Sequence, residues 1–167
     1  HSLDEAVACR EAGWKKNIML LGPLPLDEVE AVFEFDLEPV VFNSAFLTQL
    51  GKRADRHGKT VKTHLKLETG TNRQGVTATE LPAFAKIYKA HASLKKPFGA
   101  SMHFANIEDT TSHDYAELQL GNFNNMVKAM TSLGIKPSVR HTASSAAAIL
   151  FDKTHFEMVR PGIAVYG

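Results

Sequence analysis

Short apolar runs alternate with amphipathic segments along the whole chain, and no other feature of the sequence restricts its fold as strongly. The runs at residues 17–21 and 37–42 are each followed by a segment with apolar residues at helical spacing, the second of which Ser44 and Gly58 are predicted to cap. The same pattern predicts further strands over residues 60–69, 98–105, 138–144 and 156–160. Because strands that alternate with helices form right-handed βαβ units, the sequence predicts an α/β protein with a parallel sheet of about six strands.

The composition indicates one soluble domain and argues against several classes of partner. With 167 residues the chain can bury one substantial core, so we predict a single domain over residues 1–167. Lys and Arg are scattered among Asp and Glu, with a formal net charge of +1, which argues against nucleic acid and favours a small neutral or zwitterionic ligand. Since no apolar run is long enough to cross a bilayer, we predict no membrane partner.

The cysteine content and the two chain ends lead to further expectations. The single cysteine, Cys9, cannot form an internal disulfide, and no Cys/His spacing is typical of a metal site. We therefore predict no metal and a reducing, cytoplasmic location. The chain begins inside a helix signal, because Ser2 and Glu5 have capping-box spacing, and it stops directly after the last predicted strand. We therefore expect this sequence to be a fragment of a longer protein.

Polar side chains on one face of two predicted strands indicate a functional site. In the strand over residues 60–69, Val61, Leu65 and Leu67 share one face, and the strand over residues 98–105 has a similar apolar face. The opposite faces carry Lys62, His64, Lys66 and Glu68 on the first strand, and Gly99, Ser101 and His103 on the second. Buried charges are costly unless they are paired, so a polar interior of this kind favours a functional site over a packed core.

The last predicted strand ends in Arg160, which is followed by a Pro-Gly break. Such a strand delivers the arginine to the carboxyl-end rim of a parallel barrel, where barrel enzymes have their chemistry. The break leaves the backbone N–H groups of Gly162 and Ile163 outside any strand pairing, and glycine lets a bulky anion approach closely. We predict a phosphate nest there. The alternative for Arg160 alone is an ordinary salt bridge at the rim.

Ser144 and Ser145 lie where the predicted strand over residues 138–144 becomes a helix. A serine hydroxyl and free N–H groups meet there at the positive end of the helix dipole, which suits a phosphate, whereas the alternative is a serine that only caps the helix. Three histidines, His64, His103 and His141, lie on predicted strands. A lone histidine on a strand is more often a hydrogen-bonded core residue than a site residue.

Three stretches, in this order, resemble the motifs of the bacterial alanine racemase family: residues 65–75, 141–147 and 160–167. Members of this family are pyridoxal-phosphate enzymes with a barrel domain followed by a β-rich domain. The resemblance spans essentially the whole chain and implies an incomplete parallel (β/α)8 barrel of the TIM type, with about six of eight βα units present. It implies that residues 1–167 are part of the N-terminal cofactor-binding barrel domain, without its first strands and without the C-terminal β domain.

The resemblance implies pyridoxal 5'-phosphate as the cofactor and gives individual residues a role in binding it. Arg160 matches an arginine that donates a hydrogen bond to the pyridine nitrogen without protonating the ring, since a guanidinium keeps its own proton. His103 matches a histidine that lies beside the ring and this arginine. Ser145, Gly162 and Ile163 match positions that bind the phosphate.

Residues 65–75 resemble the family's segment between a lysine and an arginine. Arg73 matches an arginine that contacts the cofactor's phenolic oxygen and the substrate carboxylate. Lys66 matches a lysine that is often carbamylated: near Arg73 in a confined site its pKa is lowered, the neutral amine can add carbon dioxide, and the resulting anion would support Arg73. A lone strand lysine can instead extend to the rim. Glu68 and Ser144 depart from the family's commoner Asp and Asn.

The resemblance implies an isomerase that interconverts L-alanine and D-alanine for peptidoglycan synthesis, as a cytoplasmic homodimer, by moving the α-proton from one face of the substrate to the other. Within this chain it assigns Arg73, His103 and Arg160 to catalysis. The family's Schiff-base lysine and opposing tyrosine have no matching position here, so we expect this chain alone to be inactive. The alternatives are a non-catalytic pyridoxal-phosphate barrel protein, another amino-acid racemase or a decarboxylase of the same fold, and an unrelated barrel enzyme with a phosphorylated substrate.

Overall fold

Five parallel strands form one sheet in the computed structural model, which describes residues 1–94 and 96–167. In chain order the strands are β1 (Ile18–Leu20), β2 (Leu37–Val41), β3 (His64–Lys66), β4 (Gly99–Ser101) and β5 (Val139–His141). Each strand pairs with the next one along the chain, so every βα unit extends the same edge of the sheet. This order is that of an open part of a parallel barrel, and it confirms the predicted α/β class.

One helix precedes β1, at least one helix follows each strand, and the helices cover the outer face of the sheet. In the described part of the chain the α-helices are α1 (Leu3–Glu11), α2 (Ala31–Glu34), α3 (Ser44–His57), α4 (Leu81–Ala90), α5 (Asp114–Ser132) and α6 (Ser145–Leu150). Short 3-10 turns lie at Leu26–Glu28, Asp152–Thr154 and Ile163–Val165. None of the described helices has both the length and the apolar character needed to cross a membrane.

The ends of the helices follow local signals in the sequence. Ser2 and Glu5 form the predicted capping box on α1. The helix α3 begins after Asn43, whose side chain accepts a backbone N–H of the first turn, so the prediction that Ser44 caps this helix is wrong by one position. Gly58 ends α3 in the left-handed conformation, with a φ of 61°, as its position in the sequence predicts.

The hydrophobic core lies between the sheet and the helices. Leu65 of β3 and Ala100 of β4 are fully buried, and so are Leu50 of α3, Tyr88 of α4 and Phe123 of α5. Burying one such large apolar side chain contributes about 1.5–3 kcal/mol to folding. This layer therefore supplies a rigid outer support, and the opposite face of the sheet is left for polar groups.

The inner face of the sheet carries the polar side chains that the alternation along the strands predicts. His64 is in register with Gly99, and Lys66 is in register with Ser101, which in turn is in register with His141. Residues in register on neighbouring parallel strands point to the same face. The carboxyl ends of β3, β4 and β5 therefore bring polar groups to one edge of the sheet.

The number of strands differs from the prediction, because residues 156–160 form no strand in the described part of the chain. Phe156 has a φ of 47°, which interrupts an extended backbone. The backbone N–H of Arg140 on β5 donates to the carboxylate of Glu157 (2.8 Å) instead of to a sixth strand. Arg160 still reaches the carboxyl edge, since its N–H donates to the carbonyl of Ala143 (2.9 Å) just after β5.

Candidate active site

A cavity of about 440 Å³ opens at the carboxyl ends of the strands. Lys66 lines it from the end of β3, Arg73 from the following loop, His103 from the segment after β4, and Arg160 from the segment after β5. These four residues, which the sequence singled out, therefore lie around one space although they are far apart along the chain. The volume is that of a small-molecule site. We call this space the rim cavity.

The rim cavity is positively charged. Lys66, Arg73 and Arg160 line it, and its lining, within the described residues, contains no Asp or Glu. Burial and the charges of Arg73, Arg160 and Lys66 lower the pKa of His103, so that its ring is neutral and can accept or donate a hydrogen bond. A ligand with negative and hydrogen-bond-accepting groups fits this lining better than a cation does.

Arg160 is held in place by acceptors at the ends of β4 and β5. Its Nη1 donates to Nδ1 of His141 (2.7 Å), and its Nη2 donates to the backbone carbonyl of Met102 (2.8 Å). Nη2 also lies 3.4 Å from the carbonyl of Thr142. Burial lowers the pKa of Arg160 to about 10, which leaves the guanidinium protonated at neutral pH. The Nε–H group takes part in none of these bonds and remains a donor for a ligand.

Two buried histidines extend the contacts of Arg160 across the inner face of the sheet. Nε2 of His141 lies 2.8 Å from Nδ1 of His64, and Nε2 of His64 lies 3.2 Å from the carboxylate of Glu38 on β2. The exposed fractions of His141 and His64 are 0% and 1%. Burial lowers the pKa of both rings, and Arg160 adds to the effect on His141, whose pKa falls to about 2. Both rings are therefore neutral at pH 7.

Lys66 has the environment of a lysine with an unusually acidic ammonium group. Its Nζ donates to Oε1 of Gln74 (2.7 Å). Burial, followed by the charges of Arg73 and Arg160, lowers the pKa of Lys66 to about 8. A considerable fraction of the amine is therefore neutral near pH 7 to 8, as addition of carbon dioxide requires. The carbamylation of Lys66 itself stays a prediction.

Arg73 lies on a loop that a parallel bridge between Leu67 and Val76 closes and that side chains hold in shape. The carboxylate of Glu68 accepts the backbone N–H groups of Gly70 (2.6 Å) and Asn72 (3.1 Å). Burial alone would raise the pKa of Glu68, but these backbone donors lower it below its usual value. The side chain of Arg73 is exposed, and its guanidinium has no hydrogen-bond partner among the described residues. It is therefore available to a ligand.

One face of α5 supports this loop from outside the cavity. Tyr115 donates through its hydroxyl to the carbonyl of Gly70 (2.7 Å), and Asn122 donates to another carbonyl of the loop (3.2 Å). Gln119, which is fully buried, donates to the carbonyl of His103 (3.3 Å). The positions i, i+4 and i+7 share one helix face, so a single face of α5 orients the segments that carry Arg73 and His103.

Ser145 contacts the turn that follows Arg160. Its hydroxyl oxygen accepts the N–H groups of Gly162 (2.9 Å) and Ala164 (3.2 Å). The N–H of Gly162 is thus already bonded, contrary to the expectation that it is free, whereas the N–H of Ile163 has no acceptor among the described residues. Ser145 is the first residue of α6 and does not cap it, because the N-cap position belongs to Ser144, which lines the rim cavity.

Sequence reasoning did not single out Glu38, Gln74 or Gln119. Glu38 has the same inward phase on its strand as Val40, so a carboxylate at this position signals a charge inside the sheet. Gln119 is a buried amide next to Leu120 on α5, and a polar residue within an apolar stripe is a comparable signal. No pattern identifies Gln74, because its contact with Lys66 depends on the shape of a loop.

Comparison with known proteins finds one family over the whole chain. The family described as alanine racemase, N-terminal domain, matches residues 1–167. The alanine racemase of Desulfovibrio desulfuricans is 36% identical to this chain over 165 residues, and that of Carboxydothermus hydrogenoformans is 34% identical over 165 residues. Each match covers 99% of this chain and 44% of the relative, so the chain spans less than half the length of these curated relatives.

Solved structures have the same architecture. Alanine racemase from the D-cycloserine-producing Streptomyces lavendulae has a TM-score of 0.89 at 30% identity, over 99% of this chain and 44% of that chain. Alanine racemase from Bacillus anthracis with bound L-Ala-P has a TM-score of 0.88 at 32% identity, over 98% of this chain and 42% of that chain. Together with the sequential parallel strands, this likeness confirms the predicted incomplete barrel of the TIM type.

Proposed function

The chain belongs to the alanine racemase family, in which it matches the N-terminal domain, and on that premise we propose that it forms the cofactor-binding part of a pyridoxal-phosphate-dependent racemase. The proposed reaction is the interconversion of L-alanine and D-alanine. The observation that carries the proposal is the convergence of Lys66, Arg73, His103 and Arg160 on the rim cavity, whose described lining has no carboxylate.

Unused donors fit the accepting groups of pyridoxal phosphate. One belongs to Arg160, which lines the cavity, and two belong to Ser145 and Ile163, which do not line it but lie close along the chain to the lining residues Ser144 and Arg160. Its pyridine nitrogen accepts a hydrogen bond, and the Nε–H of Arg160 is a donor that the bonds to His141 and Met102 leave unused. Its phosphate oxygens also accept. The hydroxyl oxygen of Ser145 accepts two N–H groups, so its proton is free to be donated to a phosphate oxygen, as is the N–H of Ile163.

Arg160, Ser145 and Ile163 would hold the cofactor, with His103 beside its ring, whereas the N–H of Gly162 already binds Ser145. When bound, pyridoxal phosphate supplies a conjugated ring that withdraws electrons from the α-carbon of an amino acid. Arg160 keeps its own proton, because its pKa of about 10 lies far above that of a pyridine, so it orients and hydrogen-bonds the ring nitrogen without charging it. This limits how much negative charge leaves the α-carbon and so restrains side reactions.

Arg73 would bind the carboxylate of the substrate. Its guanidinium is exposed at the cavity and has no partner among the described residues, and a planar fork with two parallel N–H groups matches a carboxylate. Lys66, carbamylated, would add a negative charge that braces this arginine. We assign the two bases that remove and return the α-proton to positions outside residues 1–167. The residues of this chain would therefore bind and orient the reactants.

The wider role follows from the same proposal. D-alanine formed by the reaction would be used in peptidoglycan synthesis, and we propose a cytoplasmic homodimer as the working form. The curated relatives that match 99% of this chain are named alanine racemase, which supports alanine as the substrate. The Bacillus anthracis relative with bound L-Ala-P supports a ligand built on alanine.

Racemase activity is tested with the protein that carries this chain. We expect L-alanine to be converted to D-alanine in the presence of pyridoxal phosphate, measured with a coupled D-amino-acid oxidase assay. Arg73→Met should lower kcat/KM by about 100-fold or more, because it removes the carboxylate contact. Arg53→Met is the matched control, since Arg53 lies on α3 and pairs with Glu30. No D-alanine, or equal effects of the two variants, would contradict the proposal.

Cofactor binding is tested separately from turnover. We expect the protein to gain a visible absorbance band with pyridoxal phosphate, and borohydride to remove that band. Arg160→Lys should weaken cofactor binding, because a lysine donates from a single nitrogen and cannot reproduce the planar fork that binds His141 through Nη1 and Met102 through Nη2 and leaves Nε–H for a ligand. Arg140→Lys, on the outer face of β5, is the control and should bind normally. Normal binding by Arg160→Lys would count against this assignment.

A further inference from the structure

A line of polar groups crosses the inner face of the sheet and ends at the rim cavity. It consists of Glu38, His64, His141 and Arg160, and we call these residues the cross-sheet chain. Glu38 lies near the amino end of β2, two strands away from β4, and does not line the cavity. Distances of 3.2, 2.8 and 2.7 Å join the successive members. The proposed function uses only Arg160, so the other members need an explanation.

The two ends of the cross-sheet chain determine the direction of every hydrogen bond in it. A guanidinium can only donate, so Nδ1 of His141 accepts from Arg160, and the proton of this neutral ring is on Nε2. The Nε2–H group then donates to Nδ1 of His64, which leaves the proton of His64 on its Nε2. The carboxylate of Glu38 can only accept, and it takes this last donor.

The opposite arrangement conflicts with Arg160. If His64 carried its proton on Nδ1, it would donate to Nε2 of His141, and Arg160 would still donate to Nδ1 of the same ring. A neutral imidazole has one N–H group and one acceptor nitrogen, so it cannot accept at both positions. Either the contact between the rings or the contact of Arg160 with the ring of His141 would have to break, and in the latter case Nη1 would keep only its bond to the backbone carbonyl of His141 (2.5 Å). The acceptor at Glu38 therefore selects the tautomers that Arg160 needs.

The strand β4 lies between the rings of His64 and His141, and it has a glycine where a side chain would separate them. His64 is on β3 and His141 is on β5, and the residue of β4 in register with His64 is Gly99. A Cβ at Gly99 would lie 2.1 Å from Nδ1 of His64, which is far inside contact distance. The ring of His64 therefore occupies the space that a side chain at this position would need. This feature supports the cross-sheet chain independently of its hydrogen bonds.

We infer that Glu38 is a positioning residue, which acts through His64 to hold His141 in its Nε2–H tautomer and thereby aims Arg160 at the rim cavity. Asn17 Nδ2 (2.6 Å) and Lys62 Nζ (3.3 Å) bind the carboxylate from the other side and orient it. The consequence for turnover rests on the proposed function, whereas the tautomers of the two rings do not.

The tautomers are measured by NMR of the protein that carries this chain, labelled with [15N]histidine and without added cofactor. Ring nitrogen shifts distinguish a protonated from an unprotonated nitrogen, and His64→Gln and His141→Gln assign the signals. We expect both rings to be neutral at pH 7, with the proton on Nε2. A proton on Nδ1 of either ring, or a doubly protonated ring, would overturn the inference, and this measurement needs no substitution at Glu38.

Two substitutions at Glu38 separate positioning from packing. Glu38→Leu removes the acceptor, so His64 should lose its preference for Nε2–H, and kcat should fall about tenfold or more while KM for alanine stays within about threefold. Glu38→Gln keeps an acceptor oxygen, and Asn17 can turn its amide to match, so the tautomers and kcat should recover to within about threefold. Glu157→Leu is the control, because this carboxylate binds Arg140 on the outer face.

The outcomes separate this inference from the proposed function. Unchanged tautomers in Glu38→Leu, or equal losses of kcat in Glu38→Leu and Glu38→Gln, would overturn the positioning role. Expected tautomers in a protein that binds no pyridoxal phosphate and forms no D-alanine would contradict the proposed function and support the inference. If Glu38→Leu does not fold, a proton on Nδ1 of either ring in the unmodified protein would still overturn the inference, and so would tautomers in Glu38→Gln that differ from those of the unmodified protein.

Discussion

Arg160 and Arg73 line the same cavity, but the chain holds them in opposite ways. Arg160 is half-buried and donates to His141 and to the carbonyl of Met102, so most of its direction is set before any ligand arrives. Arg73 is exposed on a loop, and its guanidinium has no partner among the described residues. Most N–H donors of Arg160 therefore have acceptors within the protein, whereas those of Arg73 have none among the described residues.

This contrast fits the two different tasks that we propose for these arginines. A donor held by fixed neighbours needs no reorganisation when charge develops beside it, which suits a permanent partner such as a cofactor ring. A mobile guanidinium can close on a carboxylate that enters and leaves in each cycle, which suits a substrate. The surroundings of each arginine, and not its chemistry, are therefore the basis for the task that we propose for it.

The largest difference is expected when each arginine is replaced by methionine. Arg160→Met leaves a ring nitrogen of His141 and a carbonyl at Met102 without a donor, so the free energy of unfolding should fall by about 2–4 kcal/mol. Arg73→Met should change it by less than about 0.5 kcal/mol, because the side chain is exposed. Urea unfolding measures both values, and equal losses would abolish the distinction between the two arginines.

A methyl group added at Gly99 should disturb the surroundings of Arg160 but not those of Arg73. Gly99→Ala puts a Cβ 2.1 Å from Nδ1 of His64, so we expect a loss of about 1–3 kcal/mol in unfolding free energy and a broken contact with His141. Gly121→Ala is the control, since that position in α5 has open space and a helical backbone, and it should gain about 0.5–1 kcal/mol. A Gly99→Ala protein as stable as its parent would show that the ring has room to move.

Acid should also lower the stability of the folded protein, through the two histidines near Arg160. Burial lowers the pKa of His141 and of His64, so below the ordinary value of about 6.5 the unfolded chain binds protons that the folded chain does not. Stability should therefore fall as the pH drops below about 6.5, and these two groups should cause no change above it. His141→Gln should flatten this dependence in thermal melts between neutral pH and about pH 4. An unchanged slope would mean that other groups dominate.

The smallest effect is expected at Lys66, where the charges of both arginines act. Its pKa of about 8 means that an amine-specific reagent should reach half of its maximal rate near pH 8, against 10.5 for the ordinary side chain in the unfolded protein. Mass spectrometry of the modified peptide gives this midpoint. Arg73→Met removes one of the causes and should move the midpoint upward. If the midpoint does not move, Arg73 does not influence this amine.

Local patterns were enough to predict the fold class and part of the rim cavity. Alternation of apolar runs with helical segments predicted parallel βαβ units, the alternation along residues 60–69 placed Lys66 on the polar face, and the Pro-Gly break placed Arg160 at the rim. Arg73 was assigned only by the resemblance to the alanine racemase family. The same patterns predicted a strand over residues 156–160 that the described structure lacks. An apolar run has the same composition whether or not it pairs, and the φ of 47° at Phe156 has no signal in the sequence.

The contacts inside the site were less accessible to sequence reasoning. Ser145 was predicted to face a phosphate beside free N–H groups, but its hydroxyl accepts the N–H of Gly162 (2.9 Å), because the turn after Arg160 folds back onto α6. Glu38 was not recognised at all, although its inward phase on β2 marks it as a buried charge. Each of these contacts joins segments whose separation depends on how neighbouring elements pack.

The sequence by itself determined which chemical groups this protein has at its strand ends, because hydrophobic period, glycine breaks and strand length are local properties of the chain. Only the tertiary structure decided that Glu38, His64, His141 and Arg160 form one line. That line depends on the register of β3, β4 and β5 and on the missing side chain of Gly99. Register is set by the packing of the whole sheet against its helices, so no single segment of the sequence contains it.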